Sequence, residues 1–93
     1  MIQEGKNRRH ILIVDDEAEV PQMLTMLLET RGYSVSVATN GIEAIEKASS
    51  NNVDLILLDL ILPDLDGFEV CRKLKEKETT RDIPLIIISG RCL

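Results

Sequence analysis

Four short apolar runs punctuate this sequence, and segments of helical length separate them. Ile11-Leu12-Ile13-Val14 and Leu55-Ile56-Leu57-Leu58 are apolar throughout. Continuous runs this short predict strands buried on both faces, as in a parallel sheet covered by helices. The segment from Tyr33 to Ala38 instead alternates Tyr33, Val35 and Val37 with Ser34 and Ser36, which predicts an edge strand. A fourth strand follows Ile83-Pro84 and covers Leu85 to Ile88.

The intervening segments carry helical spacing. Val20, Met23, Leu24, Leu27 and Leu28 form the expected inner stripe of the first helix. Pro21 stands near its start, where a missing amide donor costs little, and Gly32 marks its end. After the Thr39-Asn40-Gly41 turn, Ile42, Ile45 and Ala48 predict a second helix, closed by the polar loop Ser49-Ser50-Asn51-Asn52. After the segment Pro63-Asp64-Leu65-Asp66-Gly67 a third helix runs to about Lys77, with Phe68, Cys71 and Leu74 expected inside. Glu69, Arg72, Lys73 and Glu76 are expected in water, and Glu78 to Asp82 form a charged loop. Strands alternating with helices through right-handed crossovers make an α/β fold, a doubly wound parallel sheet. With the alternating second strand at one edge, the expected order is 2-1-3-4.

Composition narrows the function classes. The 93 residues suit a single domain, with residues 1–9 as a flexible lead-in and 10–93 as the folded part. A net charge of −5 argues against direct nucleic-acid binding, which needs a basic footprint. The first ten residues lack the apolar segment of a secretory signal, and no run is long enough to span a membrane. Cys71 and Cys92 have no metal-ligand spacing. They read as reduced thiols in a cytoplasmic protein, Cys71 as a small core residue.

The chemistry lies where two strands stop. The first run is closed by Asp15-Asp16 and the third by Asp59. Ligands in open α/β sheets bind beyond the carboxyl ends of the strands. Three carboxylates thus gather in one crevice, where mutual repulsion favours a bound hard cation. Other roles exist for each residue alone. Asp15, Asp16 and Glu17 could cap a helix and complement its dipole. Asp64 and Asp66 read as turn formers beside Pro63 and Gly67, as does Asp54, which lies with His10 at the opposite end of the sheet.

Taken together, Ile13-Val14-Asp15-Asp16-Glu17, the segment Asp59-Leu60-Ile61-Leu62-Pro63-Asp64-Leu65-Asp66-Gly67, and Ile86-Ile87-Ile88-Ser89-Gly90 resemble the receiver domain of two-component response regulators. The resemblance runs from about His10 to Gly90 and implies a flavodoxin-like fold. It implies that Asp59 accepts a phosphoryl group from a sensor histidine kinase or phosphotransfer protein. It further implies Mg²⁺ held by Asp15, Asp16, Asp59 and the backbone carbonyl of Ile61, with Ser89 as the switch hydroxyl. At most, such a module catalyses its own phosphoryl transfer and dephosphorylation; it is not otherwise an enzyme.

The family has five strands and five helices, whereas this sequence stops after its fourth strand. It therefore reads as a partial receiver domain. The lysine that ends the family's fifth strand has no counterpart here; Arg91 lies nearest that end of the sheet. The unpaired strand Leu85 to Ile88 predicts a homodimer or a swapped oligomer. An enzyme class and a binding module fit poorly. A haloacid-dehalogenase phosphatase needs a second aspartate where Ile61 stands, and a nucleotide site needs glycines where Asp15-Asp16-Glu17 stand. The competing reading is a receiver-like fragment that acts only by association.

Overall fold

The computed structural model describes residues 8–50 and 52–88. Most of the expected lead-in, and also Ser89, Arg91 and Cys92, lie outside the described residues. Strands β1 (His10–Val14), β2 (Ser34–Ala38), β3 (Leu55–Leu58) and β4 (Leu85–Ile87) alternate with helices α1 (Glu19–Thr30), α2 (Gly41–Ser50) and α3 (Gly67–Glu76). All strand pairs are parallel, in the order β2-β1-β3-β4 that the pattern predicts. Val14 pairs with both Ala38 and Leu58, which brings the ends of β1, β2 and β3 level. No helix among the described residues is long and apolar enough to cross a membrane.

One face of the sheet carries the main core. Leu12 and Val14 of β1 and Ile56 and Leu58 of β3 pack with Ala44 and Ala48 of α2 and Val70 and Leu74 of α3. By strand alternation, Ile11 and Ile13 point to the other face, where both are buried. Thr80 closes the end of α3, its buried Oγ1 donating to the Leu74 carbonyl at 2.6 Å.

Each helix is rotated relative to its expected inner stripe. On α1 the inward row is Pro21, Leu24, Thr25 and Leu28, whereas Val20, Met23 and Leu27 are exposed. Apolar residues cover more of this helix than one face, and the sheet covers only part of them. On α2 the inward row is Gly41, Ala44, Ile45 and Ala48, with Ile42 exposed. Small residues bring this helix close: a Cβ on Gly41 would stand 2.9 Å from Leu65 Cβ and Val70 Cγ2. On α3, Gly67, Val70, Cys71 and Leu74 turn inward, leaving Phe68 67% exposed.

Element ends follow local chemistry. Gly32 has φ +92°, its N–H donates to Glu29 O, and the Tyr33 N–H donates to Leu28 O. This paired termination requires a left-handed residue that glycine adopts without strain. Tyr33 is thereby drawn into the end of α1, and β2 starts one residue later than expected. At the end of α2, Ser49 and Ser50 donate back to the Ile45 and Glu46 carbonyls. The helix thus runs through Ser49 and Ser50, where composition predicts a loop, with both hydroxyls bonded within it. His10, far from the strand-end acids, bonds Ser36 Oγ through Nε2 and the Asp54 carboxylate through its amide, a structural role as expected.

Candidate functional site

The acidic site grows directly out of the strand register. The Asp15 N–H donates to Ala38 O at 3.0 Å, and the Asp59 N–H donates to Val14 O at 2.9 Å. Both aspartates therefore continue the ladder one step past their strands, side by side. Carboxylate oxygens of Asp15, Asp16 and Asp59 lie within 4.8 Å of one another. Asp15 is 6% exposed and Asp59 4%, whereas Asp16 faces solvent. No lysine or arginine pairs with these three among the described residues. Two buried anions and a third at the rim, all hard oxygen donors, are a donor set suited to a small divalent cation.

Electrostatics within the cluster point the same way. Burial pushes the Asp15 carboxyl above its ordinary value, and the charges of Asp59, Asp16 and Glu17 push it further. A hydrogen bond from the Glu17 N–H to Asp15 Oδ1, 3.0 Å, opposes them. Asp15 and Asp16 line a groove of about 480 Å³ between β1, α1 and β2, together with Pro21, Met26 and Val37.

The β3–α3 loop brings Ile61 to the site. Its N–H donates to Asp59 Oδ1 at 3.1 Å, and its side chain is exposed. The loop closes where the Gly67 N–H donates to Leu60 O at 2.9 Å. A Cβ on Gly67 would stand 2.5 Å from the Leu60 Cα. Gly67→Ala should therefore cost about 1–3 kcal/mol of stability, the usual range for forcing extra carbon into a packed site. Urea unfolding monitored by circular dichroism checks this, and an unchanged midpoint would contradict it.

Asp66 caps α3, accepting from the Phe68 N–H at 2.9 Å. Asp64 does more than form a turn: it accepts from the first two amides of α2. That contact spans 22 residues or more, and no local signal in the sequence reports it. The other cap of α2 is readable, since Asn40-Gly41-Ile42-Glu43 has the spacing of a capping box. Asn40 Oδ1 indeed accepts from the Glu43 N–H. Cys71 is half-buried and packs against the core, and burial raises its thiol above its ordinary value. Ser89 lies outside the described residues; β4 leads toward it, with the Ile88 N–H donating to Leu58 O.

The four parallel strands in the order 2-1-3-4 with three helices define an α/β flavodoxin-like fold, with the acids clustered at adjacent strand ends. More particularly, residues 11–92 match the family described as the response regulator receiver domain, and the chain belongs to it. It is a two-component signal-transduction module. Among curated relatives, it is 47% identical over 85 residues to the transcriptional regulatory protein ResD of Bacillus subtilis. That match covers 91% of this chain and 34% of ResD. The chain thus spans about a third of the length of the curated relatives it matches.

Among solved structures, the N-terminal domain of a response regulator receiver protein from Methanoculleus marisnigri superimposes with a TM-score of 0.84 at 33% identity. The match covers 90% of this chain and 68% of that one. The receiver domain of a Pseudomonas aeruginosa sensor histidine kinase, which has a magnesium ion coordinated in its active-site cleft, gives 0.85 at 31% identity. Here the coverage is 92% of this chain and 70% of the other.

Proposed function

We propose that this chain is a phosphoacceptor module in which Asp59 takes a phosphoryl group from a sensor histidine kinase or phosphotransfer protein. The observation that carries the reading is the cluster itself: a buried strand-end carboxylate with two further carboxylates inside 4.8 Å. Mg²⁺ is the cation that suits these donors, held by Asp15, Asp16 and Asp59 with the Ile61 carbonyl, and the magnesium-bound kinase receiver supports the assignment. When bound, the ion offsets the negative charge that an incoming phosphoryl group adds.

The protein's own part is positional. Ile61 holds Asp59 Oδ1, and Oδ2 accepts no hydrogen bond among the described residues. An Asp59 oxygen attacks phosphorus as the donor's P–N bond breaks, and the product is an aspartyl phosphate. Ser89, two residues after β4 in the sequence, is assigned as the hydroxyl that binds the phosphoryl oxygens. This is self-catalysed transfer rather than turnover of a separate substrate. Residues 10–93 form the receiver part in this reading and 1–9 a lead-in. The acidic composition and reduced thiols suit the cytoplasm.

Incubation with acetyl phosphate and Mg²⁺, followed by intact mass, borohydride trapping and peptide mapping, tests the assignment. One phosphoryl group on Asp59, absent without Mg²⁺, is the expected result. A label on Asp15 or Asp64 overturns the role given to Asp59.

A second reading is favoured by a separate observation: β4 is an edge among the described residues, and its Ile86 and Ile87 are exposed. That edge supports a homodimer, or a swapped oligomer, whether or not Asp59 is phosphorylated.

A further inference from the structure

Asp64 accepts three backbone N–H bonds: Oδ1 from Gly41 at 2.7 Å and Leu65 at 2.7 Å, and Oδ2 from Ile42 at 3.0 Å. Gly41 and Ile42 open α2, and the first amides of a helix have no partner within it. The amide of Glu43 is already taken by Asn40 Oδ1 at 2.8 Å. The start of α2 is therefore capped twice, once from the neighbouring residue and once from the β3–α3 loop. The carboxylate also lies at the positive end of the helix dipole. Its hydrogen bonds, with that from Gly41 first, hold the Asp64 carboxyl below its ordinary value, so it remains an anion.

The loop that Asp64 anchors is the one that carries Ile61. At its start the Ile61 N–H is bound to Asp59, and at its end Gly67 is locked against Leu60. Between them Leu62 and Leu65 lie against the core, a contact without a preferred direction. Asp64 adds the directional tie, and it reaches a helix that is itself wedged against the loop, Gly41 to Leu65.

We propose that Asp64 is a positioning residue for the metal site: by binding the first amides of α2 it holds the β3–α3 loop, and with it the Ile61 carbonyl, in register with Asp15, Asp16 and Asp59. This rests on the reading of those residues as the Mg²⁺ site. Outer partners that orient ligands typically change metal affinity by 10–100-fold, and Asp64 acts through a loop, so the lower end applies.

Calorimetric titration of Mg²⁺ into the wild-type chain, D64A, D64N and N40A tests the proposal, with amide NMR shifts recorded on each. D64A should bind Mg²⁺ about tenfold more weakly, with the Gly41, Ile42 and Ile61 amides displaced. D64N keeps one acceptor oxygen and should fall between D64A and wild type. N40A removes a cap from the same helix that comes from the neighbouring residue rather than from the loop. It should lower the thermal midpoint and leave Mg²⁺ affinity unchanged.

Wild-type affinity in D64A, or equal weakening in N40A and D64A, overturns the positioning role while the metal site stands. Absence of Mg²⁺ binding to the wild-type chain would instead remove the site reading and this inference with it. If D64A does not fold, D64N decides: weakened binding supports the role, and wild-type binding ends it.

Discussion

Asp15→Asn should make the metal-free chain more stable at neutral pH and remove its stabilisation by Mg²⁺. Asp15 is buried, its carboxyl is raised chiefly by that burial, and its neighbours Asp59 and Asp16 repel its charge. A folded carboxyl above its unfolded value binds a proton more tightly when folded. The stability gained from that proton is fully present below the ordinary carboxylate range and is lost as pH rises through the raised value. At neutral pH the ionised group opposes folding.

Asparagine keeps the acceptor for the Glu17 N–H and discards the charge. A gain of about 1 kcal/mol in a domain of this size moves the thermal midpoint by roughly 4–8 °C. Mg²⁺ binding at the proposed site should raise the wild-type midpoint with concentration, by mass action on the folded state. Melting curves from neutral to mildly acidic buffer, with and without Mg²⁺, separate the effects. The wild type should become more stable as the metal-free solution is acidified toward the raised value, and the variant should lack this rise. Equal Mg²⁺ stabilisation of both proteins would show that the ion binds elsewhere.

Self-association through β4 is the second large effect expected. Ile86 and Ile87 are 51% and 45% exposed, on opposite faces of a strand that pairs only with β3 among the described residues. Together they leave about one full isoleucine side chain in water. Burying it is worth roughly 1.5–3 kcal/mol, or about one to two tenfold steps in an association constant. Val20, Met23, Met26 and Leu27 of α1 add further exposed apolar surface.

Sedimentation across a concentration series should show dimers or larger species, and Ile87→Lys should shift them toward monomer. A lysine on an edge strand opposes pairing because its charge would be buried between chains. A strictly monomeric wild type at high micromolar concentration would contradict the expectation, as would an Ile87→Lys variant that associates as strongly.

The strands, their order and the acids at their ends were legible in the sequence because each follows from local pattern. A buried parallel strand must be apolar on both faces, so Ile11 to Val14 and Leu55 to Leu58 show as unbroken runs. Asp15-Asp16 and Asp59 mark where those runs meet solvent. Gly32 announced the end of α1 because few other residues adopt its backbone geometry.

Helix facing was not legible in the same way. Met23, Ile42 and Phe68 sit at positions that spacing alone would bury, yet the structure leaves all three exposed. Spacing identifies apolar arcs, but the placement of neighbouring elements decides which part of an arc is covered. Helix α2 turns its small residues inward because close approach to Leu65 and Val70 leaves no room for larger ones.

Asp64 makes the same point for polar groups. Beside Pro63 and Gly67 it has the local character of a turn residue, while its bonds reach amides 22 and 23 positions earlier. The sequence by itself determined which groups the strand ends would carry. Only the tertiary structure decided which helix faces stay in water and which carboxylate caps α2, because side-chain partners distant along the chain are set by packing rather than by local propensity.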